Sequence, residues 1–110
     1  MLVIIDFGLG NLGSVLHKIH KIGKINAVIS SKIEEIEKAD KLILPGVGHF
    51  KTGMKNLANL NLIDTLNHKV LIQKTPILGI CLGLQLFTKQ SEEGNMPGLG
   101  WLENLCTTLR

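Results

Sequence analysis

The chain has 110 residues and a net charge of +3, and 45% of its residues are hydrophobic. Its length fits one domain with a small core, and its composition excludes a disordered tail or a coiled coil. No apolar run is long enough to cross a bilayer, and the first run ends at Asp6 without the basic start of a signal peptide. Because the two cysteines, Cys81 and Cys106, give no disulfide framework, we expect a cytoplasmic protein without a membrane partner.

The charged residues are distributed along the chain rather than grouped. Twelve Lys and Arg residues are interspersed with nine acidic residues. Tyr is absent, and the three Phe and one Trp are far apart in sequence, so stacking platforms for bases are lacking. This pattern is typical of a solvated surface and predicts no nucleic-acid partner.

Short apolar runs alternate along the chain with apolar residues at helical spacing. A continuous apolar run predicts a strand buried on both faces, and the helical spacing predicts an amphipathic helix. Ser31 and Glu34 have the spacing of a capping box at the second helix. In chain order the predicted elements are a strand at Leu2–Ile5, a helix from Asn11 to Ile22 ended by Gly23, a strand at Ile25–Ile29, a short helix from Ser31 through Ile36, a strand at Lys41–Leu44, a long, mostly helical stretch from about Thr52 to Gln73, a strand at Pro76–Ile80, a short helix at Leu82–Lys89, a loop at Gly94–Gly100 and a further strand from Trp101.

This alternation predicts an α/β fold, with an open, mostly parallel sheet and helices on both faces. Ligands bind such sheets at the carboxyl ends of the strands. Gly-rich turns follow Asp6, Leu44 and Ile80, and all three turns fall at that edge. The sequence therefore predicts that the functional site lies there.

The turn Gly79–Gly83 follows a predicted strand and precedes a predicted helix, with Cys81 at its centre. This is the arrangement of a nucleophile elbow with Cys in place of Ser. A helix N-terminus lowers the pKa of a thiol and offers backbone N–H groups to an oxyanion. The alternative is a buried structural cysteine, which is the favoured interpretation for Cys106. At Cys81 the context favours the nucleophile.

The turn Pro45–Gly48 ends another predicted strand at the same edge. Its glycines would present backbone N–H groups toward Cys81 and form an oxyanion hole together with the N–H of Leu82. The alternative is an ordinary tight turn, which Pro-Gly often makes. Beside the elbow, the oxyanion strand is the favoured interpretation.

Four segments together resemble the class I glutamine amidotransferases, namely Pro45–Phe50, Gly79–Gln85, Ser91–Gly94 and Gly98–Trp101. The opening Asp6–Leu12 is similar to the family of glutaminase subunits of imidazole glycerol phosphate synthases. The resemblance implies a flavodoxin-like fold in which residues 1–110 are the N-terminal part of a single domain whose C-terminal part is missing. By resemblance, Cys81 is the nucleophile, the oxyanion strand contains Gly46, Val47 and Gly48, and the glutamine is held by Gln85, Ser91 and Glu92.

The resemblance also implies a function for the intact protein. It would hydrolyse glutamine to glutamate and ammonia, and pass the ammonia to a cyclase partner that makes imidazole glycerol phosphate in histidine biosynthesis. In the family, the loop that contains Gly10 and Asn11 here faces this partner. No metal and no organic cofactor are implied. Two alternatives stay open: a related glutaminase for the amination of surface-polysaccharide sugars, and a truncated, catalytically inactive module that binds a synthase.

Two features of the sequence limit this interpretation. A cysteine nucleophile needs a base, which in this family belongs to a His-x-Glu arrangement that the chain does not contain. We interpret His17 and His20 as solvated and His68 as a residue near a helix end, and a substitute base at His49 is a minor alternative. Because the resemblance also fades after Trp101, we expect a fragment or truncated product with little or no turnover and an unpaired sheet edge.

The segment Gly8–Gly13 reads G-x-G-x-x-G after a predicted strand, which is the pattern of a dinucleotide-binding loop. That interpretation also requires an acidic residue at the end of the second strand, where Ser30 and Ser31 stand instead. The sequence therefore disfavours a dinucleotide site.

Overall fold

The fold is seen in a computed structural model that describes residues 1–23, 25–46, 50–80, 86 and 99–100. Four strands form one parallel sheet in the order β2-β1-β3-β4, which confirms the predicted α/β class. The elements in chain order are β1 (Leu2–Ile5), α1 (Leu12–Ile22), β2 (Ala27–Ser30), α2 (Ile33–Lys38), β3 (Lys41–Leu44), α3 (Phe50–Asn59), α4 (Ile63–Asn67), a π-helical turn (His68–Ile72) and β4 (Ile77–Gly79).

Helices cover both faces of the sheet because its central strands are apolar on both sides. On one face, Ile4 and Ile43 pack against Ile19 of α1. The opposite face packs against α2, α3 and α4. Burial of one such side chain stabilises the fold by about 1.5–3 kcal/mol, so the buried residues of the two central strands contribute a large share of the core. The buried residues on this second face include Val3, Ile5, Leu42 and Leu44 from the strands and Ile36, Phe50, Met54, Leu57 and Leu66 from the helices.

The first helix begins and ends where its pattern predicts. Asn11 precedes α1, and its side-chain oxygen Oδ1 accepts a hydrogen bond from the backbone N–H of Ser14 at 3.2 Å. This bond satisfies one of the free N–H groups of the first turn. His17 and His20 lie on the exposed side of the helix, as predicted.

The second strand and the cap that follows it differ from the prediction. β2 spans Ala27–Ser30 rather than residues 25–29, and Ser31 is not the N-cap of α2. Instead, Ser30 Oγ accepts a hydrogen bond from the N–H of Lys32 at 3.0 Å and donates one to Glu35 Oε1 at 2.6 Å. β2 extends one residue beyond the apolar run, to Ser30. Ser30, rather than Ser31, therefore makes the contacts at the start of α2.

The long, mostly helical stretch predicted from about Thr52 to Gln73 is divided into separate helices. α3 ends at Asn59, and Asn61 then adopts a left-handed φ of 59°, a conformation that asparagine tolerates better than most residues. Leu62 is fully buried in the break, where its N–H donates to the carbonyl of Leu57 at 3.0 Å. A separate α4 and the π-helical turn follow.

The fourth strand lies at an edge of the described sheet, beside β3 only. β4 is shorter than predicted, and its Leu78 is opposite Ile43 in register but is 57% exposed. The expected unpaired edge of the sheet stays a prediction.

The elements predicted after Ile80 lie outside the described residues, apart from three positions. Leu86 is helical and buried, and its carbonyl accepts a hydrogen bond from the N–H of Leu99 at 2.8 Å. Gly100 has a positive φ of 76°. In the described part of the chain, none of the helices has the length and hydropathy that a bilayer crossing requires.

Candidate active site

The carboxyl ends of β3 and β4 lie side by side, because the two strands are adjacent and parallel. Leu44 is opposite Gly79 in register, and beyond the strand the N–H of Ile80 donates to the carbonyl of Leu44 at 3.1 Å. The ladder between the strands therefore continues to the residue that directly precedes Cys81. Gly46 is buried two residues after Leu44. The two turns that the sequence singled out thus leave the sheet from neighbouring strand ends.

The turn after β1 packs directly on the turn after β3. Gly10 has a φ of 102°, and a Cβ added there would lie 3.1 Å from Gly46 Cα and 3.3 Å from Gly46 N. Only glycine fits such an approach without displacing its neighbour, and only glycine adopts this φ at little cost. Gly10 of the G-x-G-x-x-G pattern therefore has a packing role here, at the start of the expected oxyanion strand.

Helix α3 holds the turn after β1 from its other side. Asn56 Nδ2 donates a hydrogen bond to the carbonyl of Phe7 at 2.8 Å. The next residue, Gly8, has a φ of 87°, and its N–H donates to Asp6 Oδ1 at 3.1 Å. Sequence reasoning missed Asn56, because its partner is 49 residues away and no local pattern marks the pair.

A cavity of about 380 Å³ lies beside this turn, between the end of β1 and the last residues of α3. It is on the β1 and β2 side of the sheet edge, away from the ends of β3 and β4. We therefore separate it from the candidate active site. Its lining residues are Asp6, Phe7, Gly8, Ser31, Asn56, Asn59 and Leu60.

Three of the predicted site residues fall within the described part of the chain. Gly10 and Asn11 are exposed at the carboxyl edge of the sheet, and Gly46 is buried there. Asn11 also caps α1, so its side chain has a structural contact besides the expected role at a partner. The other predicted site residues lie outside the described residues, and their roles stay predictions: Val47, Gly48, Cys81, Leu82, Gln85, Ser91 and Glu92.

The described residues form neither a metal site nor a dinucleotide site. No group of three or more His, Cys, Asp or Glu side chains in that part of the chain is arranged to hold a metal ion. The strand that would need an acidic residue for a dinucleotide ends at Ser30. His68 is exposed, and its Nδ1 lies 3.4 Å from Gln73 Nε2. His49 lies outside the described residues.

Two charged groups at the other end of the sheet have structural contacts. Lys69 is only 3% exposed, and its Nζ donates hydrogen bonds to the carbonyls of Glu37 at 2.9 Å and Ala39 at 2.7 Å, at the end of α2. At Asp40, a hydrogen bond from the N-terminal ammonium group of Met1, together with its charge, lowers the pKa of the carboxyl. Burial opposes this shift, and the charges of Lys69 and Lys41 add to it.

Comparison with known proteins agrees with this geometry. The family model for glutamine amidotransferase class-I matches residues 3–97. The chain is 57% identical over 102 residues to imidazole glycerol phosphate synthase subunit HisH 2 of Methanococcus maripaludis, covering 93% of the chain and 50% of that protein. It is 48% identical over 103 residues to the subunit of the same name from Pseudomonas aeruginosa, covering 94% of the chain and 50% of that protein.

The fold also matches a solved structure described as a glutamine amidotransferase, with a TM-score of 0.76 and 24% identity over 94% of this chain and 54% of the other. This likeness supports the fold. The chain spans about half the length of the curated relatives that it matches. Because the family model covers most of the chain, the chain belongs to the class I glutamine amidotransferase family.

Proposed function

We propose that the protein is the glutaminase subunit of an imidazole glycerol phosphate synthase. In this role it hydrolyses glutamine to glutamate and ammonia, in the cytoplasm, and delivers the ammonia to a cyclase partner in a heterodimer. Residues 1–110 are then the N-terminal part of one glutamine amidotransferase domain. The relatives named as HisH subunits support this assignment over a glutaminase for another pathway.

The observation that carries the proposal is the junction between β3 and β4. The hydrogen bond from Ile80 to Leu44 keeps the two strands together up to the residue before Cys81. Consecutive Cα atoms are about 3.8 Å apart, so the Cα of Cys81 is one such step from this junction. Gly46, which begins the expected oxyanion strand, leaves the sheet from the adjacent strand end. A nucleophile and its oxyanion donors need this kind of proximity.

The proposed chemistry begins at Cys81. The Cys81 thiolate attacks the side-chain carbonyl carbon of glutamine, and the carbonyl π electrons move to the oxygen of a tetrahedral intermediate. Backbone N–H groups near Val47 and Leu82 donate hydrogen bonds to this oxyanion. The C–N bond then breaks as the nitrogen takes a proton and leaves as ammonia, which yields a thioester on Cys81. Water hydrolyses the thioester to glutamate and regenerates the thiol.

The partner contact is proposed for the exposed loop with Gly10 and Asn11. The loop lies at the same edge of the sheet as Gly46 and touches it, so a partner bound there sits close to the source of ammonia. Substitution Asn11→Ser retains an N-cap for α1 but removes the amide, and we expect partner affinity to fall about tenfold, equivalent to about 1.4 kcal/mol. Unchanged affinity would place the interface elsewhere.

The test of the proposed reaction is glutamate release by the native gene product assayed with its synthase partner. Its intact mass is recorded first, because the His-x-Glu arrangement is absent from the 110 residues. Cys81→Ala should abolish glutamate release, whereas Cys106→Ala, the matched control, should retain it. Turnover that survives Cys81→Ala would refute the assignment of the nucleophile.

A further inference from the structure

We propose that Asn56 is a positioning residue for glutamine hydrolysis, which acts by holding the turn after β1 against the start of the oxyanion strand. This inference rests on the proposed function. Asn56 lies on α3, outside the segments expected to touch glutamine, and would act through Gly10 and Gly46. It would therefore influence the reaction without contacting the substrate.

The contact between Asn56 and the turn is specific and sheltered. Its Nδ2 donates to the carbonyl of Phe7 at 2.8 Å in a part-buried setting, and Phe7 itself is 1% exposed. The same Nδ2 lies 3.2 Å from the point where a Cβ on Gly8 would be. The amide thus packs against two consecutive residues of the turn. A side chain without a donor would leave the Phe7 carbonyl without this partner.

Helix α3, which carries Asn56, is anchored in the core. Phe50, Met54 and Leu57 of this helix are buried in the core. The helix begins at Phe50, four residues after Gly46, so α3 and β3 hold the two ends of the expected oxyanion strand. Gly10, which follows Phe7 by three residues, contacts Gly46 from the side. One helix therefore fixes both the end of this strand and, through Asn56, the turn that packs on it.

Small displacements of this strand should be costly for the reaction. Backbone donors stabilise an oxyanion only at about 2.7–3.1 Å, and a misplacement of about 1 Å reduces rates by about 100-fold. Loss of the Asn56 hydrogen bond loosens the turn after β1 but leaves the backbone N–H donors of the oxyanion hole in the protein. We therefore expect Asn56→Ala to lower kcat for glutamine about 5- to 30-fold, with KM for glutamine changed by less than about twofold.

The experiment compares variants of the native gene product in glutaminase assays with its synthase partner, alongside thermal unfolding of each. Asn56→Asp keeps the shape but cannot donate to a carbonyl, so it should lose kcat as Asn56→Ala does. Asn59→Ala is the matched control, because Asn59 lines the same cavity from the same helix but is exposed, and its side chain makes no hydrogen bond to the described residues. This control should retain the wild-type kcat.

Three results would overturn the inference while glutaminase activity stands. They are equal kcat for Asn56→Ala and Asn59→Ala, a rise in KM with unchanged kcat, and a loss of activity that only follows the loss of folded protein. A wild-type protein that hydrolyses no glutamine would overturn the proposed function, and this inference with it.

Discussion

The contact between Gly10 and Gly46 makes a sharp prediction for the substitution Gly10→Ala. The φ of 102° at Gly10 is unfavourable for an L residue, and the new Cβ would lie 3.1 Å from Gly46 Cα. Backbone strain of this kind costs about 1–3 kcal/mol. The contact is with backbone, which cannot rotate away, so Gly46 must shift by a few tenths of an ångström. We expect the free energy of unfolding to fall by about 1–3 kcal/mol.

In Gly10→Ala, kcat for glutamine should fall by more than the loss of folded protein explains. Removal of one oxyanion donor costs about 100- to 1,000-fold in kcat, and displacement of the strand should cost less, about 10- to 100-fold. The control is Gly13→Ala in α1, where no atom lies within 4 Å of the new Cβ. Alanine there should stabilise the helix by about 0.5–1 kcal/mol and leave kcat unchanged.

The assays for this pair are urea unfolding followed by circular dichroism, and glutamate release by the native gene product with its synthase partner. The two alanine substitutions should move stability in opposite directions, and only the one at Gly10 should reduce kcat. If Gly10→Ala is as stable and as active as Gly13→Ala, then the turn does not press on Gly46 and the reasoning fails.

Two further predictions concern charged groups outside the site. Lys69→Met removes both hydrogen bonds to the end of α2 and should lower the free energy of unfolding by about 2–4 kcal/mol in urea titrations. The control, Lys55→Met, changes an exposed lysine and should alter the free energy of unfolding little. Equal effects of the two substitutions would contradict a role for Lys69 in capping α2. Because the pKa of Asp40 is lowered in the folded state, its stabilisation is present above the pKa of the unfolded chain, about 3.9, and is lost as the pH falls through the lower folded value. The urea midpoints of wild type and Asp40→Asn should therefore differ at pH 6 and become equal in acid. A difference that persists unchanged in acid would refute this prediction. An equal difference for the control Glu34→Gln would refute it as well.

The sheet was predictable where local pattern decides the structure. The apolar runs at Leu2–Ile5 and Lys41–Leu44 form strands with the predicted bounds, because a run buried on both faces has few alternatives. The first helix is marked at both ends, by Asn11 and Gly23. The break after Asn59 was not predictable, since the apolar spacing continues across it. The left-handed Asn61 and the buried Leu62 depend on packing against the core, which spacing does not report.

The meeting of two glycine-rich turns at one sheet edge was predictable for a similar reason. Glycine-rich turns after parallel strands must lie at one edge of the sheet, and Gly10 and Gly46 meet there. The long-range hydrogen bonds made by helix side chains were not predictable. Asn56 reaches a carbonyl 49 residues away, and Lys69 reaches one 32 residues away. Such contacts are set by how helices cross the sheet, and a polar residue on a helix gives no local sign of them.

The central claim is that Cys81 is the nucleophile of a glutaminase, and covalent labelling tests it most directly. The native gene product is incubated with a diazoketone analogue of glutamine, digested, and examined by mass spectrometry for the modified cysteine. Cys81 should carry the label, free glutamine should protect it, and Cys106 should stay unmodified. A label on Cys106, or none on Cys81 while glutamine is being hydrolysed, would contradict it.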